Sequence, residues 1–111
     1  MADVSEKIWM DQVITLAKMN GWQVFHPSPH QVRPGVFRSD GNGFPDLVLA
    51  HRDRGLIFAE LKTERGKMST SQKVWGLSIA PHAEWYLWRP SQINLIAERL
   101  GSKQAIVPPK S

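Results

Sequence analysis

Cysteine is absent from the 111-residue chain, which excludes a disulfide scaffold and any zinc site built from thiolates. The four histidines do not have zinc-ligand spacing either, since they lie at His26, His30, His51 and His82. Long apolar runs are also missing, and the N-terminus has no basic region followed by an apolar one, so neither a membrane span nor a signal peptide is indicated. We therefore expect a soluble, intracellular protein that resides in the cytoplasm.

The chain is long enough for one domain with a modest core, to which five tryptophans and four phenylalanines contribute large apolar side chains. We expect this domain to span residues 1–101, followed by a flexible tail over 102–111 that contains Pro108-Pro109. The formal net charge of +4 is compatible with a polyanionic partner. Many proteins this basic bind no nucleic acid, so charge alone leaves the partner open.

Hydrophobic periodicity and turn residues predict an alternation of helices and strands. Trp9, Val13 and Ala17 have helical spacing and mark a first helix that ends at Asn20-Gly21. Short apolar or alternating runs mark strands, and a Pro- and Gly-rich segment after the first of them is expected to be irregular. This order predicts an α/β protein with a small mixed β-sheet flanked by helices. The predicted helices cover 4–20, 69–80 and 91–100, the strands 22–26, part of 43–50, 56–62 and 84–89, and the irregular segment 27–43.

Two of the predicted strands carry charged residues where burial is otherwise expected. Asp46 directly precedes the apolar run Leu47–Ala50, while Glu60 and Lys62 end the run that begins at Leu56. Side chains alternate across a strand, so Glu60 and Lys62 share a face, roughly 6–7 Å apart. A buried charge is costly unless it is paired or holds a metal, and two carboxylates are the usual protein share of a Mg²⁺ site.

A lysine beside such a pair of carboxylates can orient or deprotonate the water that attacks a phosphodiester, or neutralise the charge that develops. The simpler interpretation is a hairpin that carries a structural Glu–Lys pair and an aspartate in a turn. For the complete pattern of Pro-Asp, a hairpin loop and Glu-x-Lys at a strand end, we favour metal-assisted phosphodiester hydrolysis.

Two further residues are candidates for the same site. Glu6 falls on the apolar side of the first helix. It can stay solvated in the first turn, or it can reach the two carboxylates as a metal or water ligand, and we favour the second. Ser69 and Gln72 have the spacing of a capping box, which by itself explains Gln72. Because one residue does not easily serve both purposes, we expect Gln72 only to support the site.

These motifs together resemble a known nuclease family. Pro45-Asp46 followed by Glu60-Leu61-Lys62 is similar to the signature of the PD-(D/E)XK nucleases. The wider context resembles the virus-type replication–repair nuclease (VRR-NUC) branch of that superfamily, over residues 5–100. This context consists of Glu6 on the first helix, Gly43-Phe-Pro-Asp-Leu47, Ala59-Glu-Leu-Lys62 and Gly66-Lys-Met-Ser-Thr-Ser-Gln72.

The resemblance implies a restriction-endonuclease-like αβββαβ core and a Mg²⁺- or Mn²⁺-dependent endonuclease that acts on branched DNA. Stand-alone members of the branch are typically homodimers that cut Holliday junctions, and such a protein would work in a bacterium or as a phage protein in its host. The implied catalytic residues are Asp46, Glu60, Lys62, Glu6 and Gln72, and the implied metal ligands are Asp46, Glu60, Glu6 and the backbone carbonyl of Leu61.

Basic residues around the motifs are candidates for contacts with DNA phosphates, at Arg33, Arg38, Arg65, Lys67 and Lys73. Other functions stay open beside junction cleavage. The chain could cut flaps or other branched DNA, or it could be a non-catalytic DNA-binding module that keeps the nuclease fold. An unrelated small binding protein with a structural Glu–Lys pair is a third alternative.

Overall fold

The structure, a computed structural model, describes residues 5–27, 30–33, 36–38 and 43–102, with only the backbone of 30–33 and 36–38. Within these ranges, none of the helices is long and apolar enough to cross a membrane. Apart from Ser102, the predicted tail lies outside the described residues. The helices are α1 (Glu6–Met19), α2 (Thr70–Ile79) and α3 (Ile93–Gly101), the last preceded by a 3-10 turn (Pro90–Gln92). The strands are β1 (Gln23–Phe25), β2 (His30–Arg33), β3 (Val36–Arg38), β4 (Leu47–His51), β5 (Gly55–Leu61) and β6 (Glu84–Trp88).

Four of the strands form one mixed sheet in the order β1-β4-β5-β6. Strands β1 and β5 both pair antiparallel with β4, whereas β6 pairs parallel with β5. A parallel pair needs a crossover connection, and α2 provides it. When only the strands of this sheet are counted, the chain order is helix, three strands, helix, strand. The predicted α/β class, with a small mixed sheet flanked by helices, is confirmed.

The segment 27–43 differs from its prediction, because β2 and β3 pair antiparallel as a separate two-stranded sheet. The expectation of an irregular segment is therefore wrong for residues 30–33 and 36–38. It relied on the prolines and glycines of the segment, but these fall before, between and after the two strands in the sequence. The residues within the strands include Val32, Val36 and Phe37, which favour extended backbone.

Helix α1 begins and ends where local side chains and backbone allow it. The Ser5 hydroxyl accepts the Ile8 backbone N–H at 3.1 Å, which satisfies one of the free donors of the first turn. At the other end Gly21 has a φ of 83°, a left-handed conformation that glycine adopts readily. The predicted end at Asn20-Gly21 is thus correct, while the predicted start at residue 4 is two residues early.

The hydrophobic core lies on one face of the sheet, between the strands and helices α1 and α3. Alternation along β5 buries Ile57, Ala59 and Leu61 on this face and turns Phe58 and Glu60 to the opposite face, towards α2. The other core residues are almost fully buried and come from α1, the connection from α1 to β1, β4, β6 and α3. They are Trp9, Val13, Ala17, Trp22, Leu47, Leu49, Trp88, Ile96 and Leu100. The sheet therefore separates the hydrophobic core from the face that carries Glu60.

A buried ion pair joins α3 to the sheet on the core side. Arg99 Nε and Nη2 donate to the two carboxylate oxygens of Glu84 at 2.8 and 2.6 Å, and the Tyr86 hydroxyl donates to Glu84 at 2.6 Å. Burial opposes ionisation of Glu84, but the hydrogen bonds from Arg99 and Tyr86 outweigh it and lower the pKa of this carboxyl. Arg99 Nη2 also donates to the Arg54 carbonyl at 2.7 Å, so the pair fastens the β4–β5 turn as well.

Removal of one partner of this ion pair should destabilise the fold more than removal of both. In a Tyr86→Phe background, where no hydroxyl loses its acceptor, Arg99→Leu should lower the free energy of unfolding by about 3–5 kcal/mol because Glu84 is left charged and buried. Adding Glu84→Leu should recover part of that loss. Urea denaturation of the four background-matched proteins measures both effects, and strictly additive losses would contradict the prediction.

Candidate active site

Antiparallel pairing of β4 with β5 brings the predicted carboxylates together. The register sets Leu47 opposite Ala59, so Asp46, one residue before β4, lies opposite Glu60. The Leu61 backbone N–H donates to Asp46 Oδ2 at 2.8 Å. This bond holds the side chain of Asp46, which directly precedes β4, against the end of β5.

Glu60 is the most deeply buried charged residue of the site, with 1% of its surface exposed. Its Oε2 accepts a hydrogen bond from Gln72 Nε2 at 2.8 Å and lies 3.7 Å from Lys62 Nζ. Its Oε1 is buried and has no hydrogen-bond partner within the part of the chain that the structure describes. The structure thus brings Asp46, Glu60 and Lys62 into one cluster and leaves one carboxylate oxygen unsatisfied.

The environment of Glu60 raises its pKa from the ordinary value of 4.5 to about 8. Burial is the main cause, followed by the like charge of Asp46 and by a hydrogen bond that the two carboxyls can share when one of them is protonated. The positive charge of Lys62 acts in the opposite direction, and the charge of Glu6 adds a smaller increase. At neutral pH and without a cation, the Asp46–Glu60 pair therefore retains a proton.

Gln72 contacts the site and caps α2 at the same time. Its Oε1 accepts the Ser69 backbone N–H at 2.8 Å, and the Ser69 hydroxyl accepts the Gln72 N–H at 3.2 Å, which completes the predicted capping box. The other end of the amide donates to Glu60. The expectation that one residue does not easily serve both purposes is wrong, because the oxygen and the nitrogen of the amide are separate hydrogen-bonding groups.

The segment before Asp46 is held tightly between the sheet and the start of α2. Gly43 has a φ of 83°, and a Cβ at this position would lie 2.6 Å from the backbone of Ser71. Phe44 follows it and contacts the rings of Phe58 and Trp75 edge-on, at centroid distances of 6.1 and 5.0 Å. The requirement for glycine thus comes from both the backbone conformation and the close approach of α2.

Glu6 lies in the first turn of α1, is exposed, and acts on Glu60 through its charge. Its exposure at the helix N-terminus fits the solvated alternative, and its charge contributes a small increase to the pKa of Glu60. Across residues 5–27 and 43–102, no three His, Asp or Glu side chains form a group that could hold a metal ion. Among the neighbouring carboxylates, Asp46 has the larger effect on the pKa of Glu60 and Glu6 the smaller.

The predicted DNA contacts have different positions relative to this cluster. Arg65 and Lys67 are exposed in the loop that follows β5, within a few residues of Lys62. Lys73 lies on α2 beside a small apolar cavity that Gly76 and Trp85 also line. The side chains of Arg33 and Arg38 lie outside the described part of the structure.

Arg89 contacts the site region, although the sequence assigned it no function. Its Nη1 donates to the backbone carbonyls of Thr63 and Gly66, at 2.5 and 2.7 Å, in the turn directly after Lys62. In the sequence, Arg89 stands at the end of a predicted strand and before a proline, and no local pattern distinguishes it from a solvent-exposed arginine. Only the return of β6 beside β5 reveals the contact.

Compared with protein families, with curated proteins and with solved structures, the chain matches none.

Glu60 should make the stability of the metal-free protein depend on pH. Between pH 4.5 and about 8 the folded state binds a proton that the unfolded state does not, so the free energy of unfolding should fall as pH rises, by up to roughly 1.4 kcal/mol per pH unit. The Glu60→Gln variant, which mimics the protonated form, should lack this decline and be the more stable protein at pH 9.

Thermal and urea denaturation in a chelator, from pH 5 to pH 9, measure this difference. The exposed Glu98 offers a matched control, and Glu98→Gln should follow the wild-type pH dependence. Parallel curves for wild type and Glu60→Gln would rule out the buried proton.

Proposed function

We propose that this chain is a Mg²⁺- or Mn²⁺-dependent endodeoxyribonuclease that hydrolyses phosphodiesters in branched DNA. The observation that supports it most is the Glu60 carboxylate, which is buried beside Asp46 and Lys62 and has one oxygen without a hydrogen-bond partner among the described residues. The PD-(D/E)XK-like motifs supply the expected chemistry for this arrangement.

The residues present fit a divalent cation. Glu60 Oε1 has no hydrogen-bond donor in the part of the chain that the structure describes, and the pKa of Glu60 is raised to about 8. A divalent cation in place of the proton would interact favourably with both carboxylates. Mg²⁺ and Mn²⁺ prefer oxygen ligands and are commonly bound through one or two carboxylates together with water and substrate phosphate. Asp46, Glu60 and the backbone carbonyl of Leu61 would hold the ion, and Glu6 would add negative charge at the edge of the site.

A bound divalent ion stabilises negative charge on the phosphate and makes water more acidic. The protein groups have complementary tasks. The Leu61 N–H and the Gln72 amide hold the carboxylates of Asp46 and Glu60 in place. Lys62, with its ammonium group 3.7 Å from Glu60 and its side chain 14% exposed, can orient the attacking water, take its proton, or neutralise charge on the scissile phosphate.

Branched DNA, and a four-way junction in particular, is the substrate that the VRR-NUC-like motifs suggest. A homodimer would place two such sites in two-fold symmetry, which matches a junction with two scissile strands. Phosphate contacts would come from Arg65, Lys67 and Lys73, together with Arg33 and Arg38. A cytoplasmic bacterial protein, or a phage protein in its host, would meet such DNA directly.

Replacement of the central residues should abolish cleavage without unfolding the protein. Asp46→Ala, Glu60→Ala and Lys62→Ala should each reduce the cleavage rate at least about 100-fold, since each removes a charged group from the reacting centre. The measurement is a panel of linear, flapped and four-way DNA with Mg²⁺, with Mn²⁺ and with chelator. Lys18→Ala, an exposed lysine in the last turn of α1, is the control that should cut like wild type.

The same panel separates the candidate functions. Faster cutting of four-way DNA by a protein of dimeric mass in solution supports a junction-resolving enzyme, and faster cutting of flaps supports the other branched-DNA activity. Tight binding with no cutting under any metal condition points to a non-catalytic DNA-binding module. Wild-type rates from purified Lys62→Ala would contradict the role of the lysine.

A further inference from the structure

We propose that Arg89 is a positioning residue for Lys62, which it holds in place through the turn formed by Thr63–Gly66. Arg89 lies at the end of β6, on a different strand from the carboxylates. For its effect on cleavage the inference rests on the proposed nuclease function, whereas its effect on the order of the Lys62 side chain does not.

The guanidinium of Arg89 acts as an anchor for backbone carbonyls. Besides the carbonyls of Thr63 and Gly66, its Nη1 also approaches the Glu64 carbonyl, at 3.2 Å. Three carbonyl oxygens thus converge on one nitrogen of a positively charged guanidinium group. Such charge-assisted bonds are stronger than bonds between neutral groups, so this turn is fixed more firmly than an ordinary connection.

Arg89 is itself held at the junction between β6 and α3. Its backbone N–H donates to Gln92 Oε1 at 2.9 Å, within the 3-10 turn. The adjacent Ser91 N–H donates to Glu64 Oε2 at 2.6 Å, which gives the turn a second attachment to the same junction. The Lys62 backbone N–H donates to the Trp88 carbonyl at 3.1 Å, so the chain enters the turn from a fixed point.

The turn restricts the side chain of Lys62 by direct contact. A Cβ on Gly66 would lie 3.4 Å from Lys62 Cδ and 3.2 Å from Thr63 Oγ1, so the Gly66 backbone runs alongside the aliphatic part of the lysine. The Gly66 N–H donates to that same Thr63 hydroxyl at 3.1 Å, which keeps the turn closed. A lysine side chain loses rotamer entropy when it is ordered, and a fixed surface along its stem helps to keep Nζ beside Glu60.

The test compares Arg89→Met, which keeps the aliphatic stem and removes the donors, with Arg89→Lys, which keeps the charge without the fork. Single-turnover cleavage of the best substrate should fall about 10–100-fold for Arg89→Met, because a displaced Lys62 is a small misplacement of a catalytic group. Arg89→Lys should fall less. The dissociation constant for DNA should change less than about twofold in both, and Arg52→Ala, a fully exposed arginine, should match wild type throughout.

The second readout is the NMR order of the Lys62 Cε methylene, measured without metal or DNA. In wild type it should be well ordered, and in Arg89→Met it should approach that of the exposed Lys18. Unchanged order together with an unchanged cleavage rate overturns the inference while the nuclease function stands. If wild type cuts no DNA, the nuclease proposal fails and the Lys62 order alone decides. If Arg89→Met does not fold, the same two readouts on Arg89→Lys decide, and wild-type values for both overturn it.

Discussion

Glu60 Oε2 accepts a hydrogen bond from Gln72 at 2.8 Å and lies 3.7 Å from Lys62 Nζ, and the first of these contacts depends on where α2 begins. The first turn of this helix is fixed by the capping box of Ser69 and Gln72. The same turn comes close enough to Gly43 to exclude any side chain there. A helix start, a glycine and a buried carboxylate are therefore parts of one arrangement. A shift of α2 along its axis would separate Gln72 from Glu60 and loosen the segment that carries Asp46.

The sheet lets this arrangement coexist with an ordinary core. Strand β5 contributes Ile57, Ala59 and Leu61 to the apolar side and Glu60 to the side of α2, so successive residues serve stability and chemistry in turn. The Arg89 contacts connect the neighbouring strand to the same site. The strand β6 forms the parallel ladder with β5, and Arg89, the residue directly after β6, holds the turn that follows Lys62. The order of the site is thus tied to the pairing of the two strands.

Much of this could be predicted from local sequence, and the rest depends on contacts between distant residues. Alternating and helical periodicity, the Ser69–Gln72 spacing and the Asn20-Gly21 stop are local signals, and they gave the α/β class and the elements that carry Asp46 and Glu60. The hairpin β2–β3 was missed because its prolines and glycines masked two short strands. No local pattern encodes the contacts between elements that are distant in the sequence. These contacts are the Gln72–Glu60 bond, the Arg89 contacts and the Glu84–Arg99 pair, which join residues 12 to 26 positions apart.

The two buried glutamates provide the sharpest physical comparison within the molecule. Glu84 receives hydrogen bonds on both oxygens from Arg99 and another from Tyr86, and its pKa is lowered despite burial. Glu60 is more deeply buried, yet Lys62 Nζ lies 3.7 Å away, Asp46 adds a like charge beside it, and one oxygen has no partner among the described residues. The same chain therefore fully neutralises one buried carboxylate and leaves the other in need of positive charge. A carboxylate with a purely structural role would gain stability from an arrangement like that of Glu84. The incomplete pairing of Glu60 is the pattern expected where a cation from outside the protein supplies the missing charge, and this supports the proposal of a metal-dependent site.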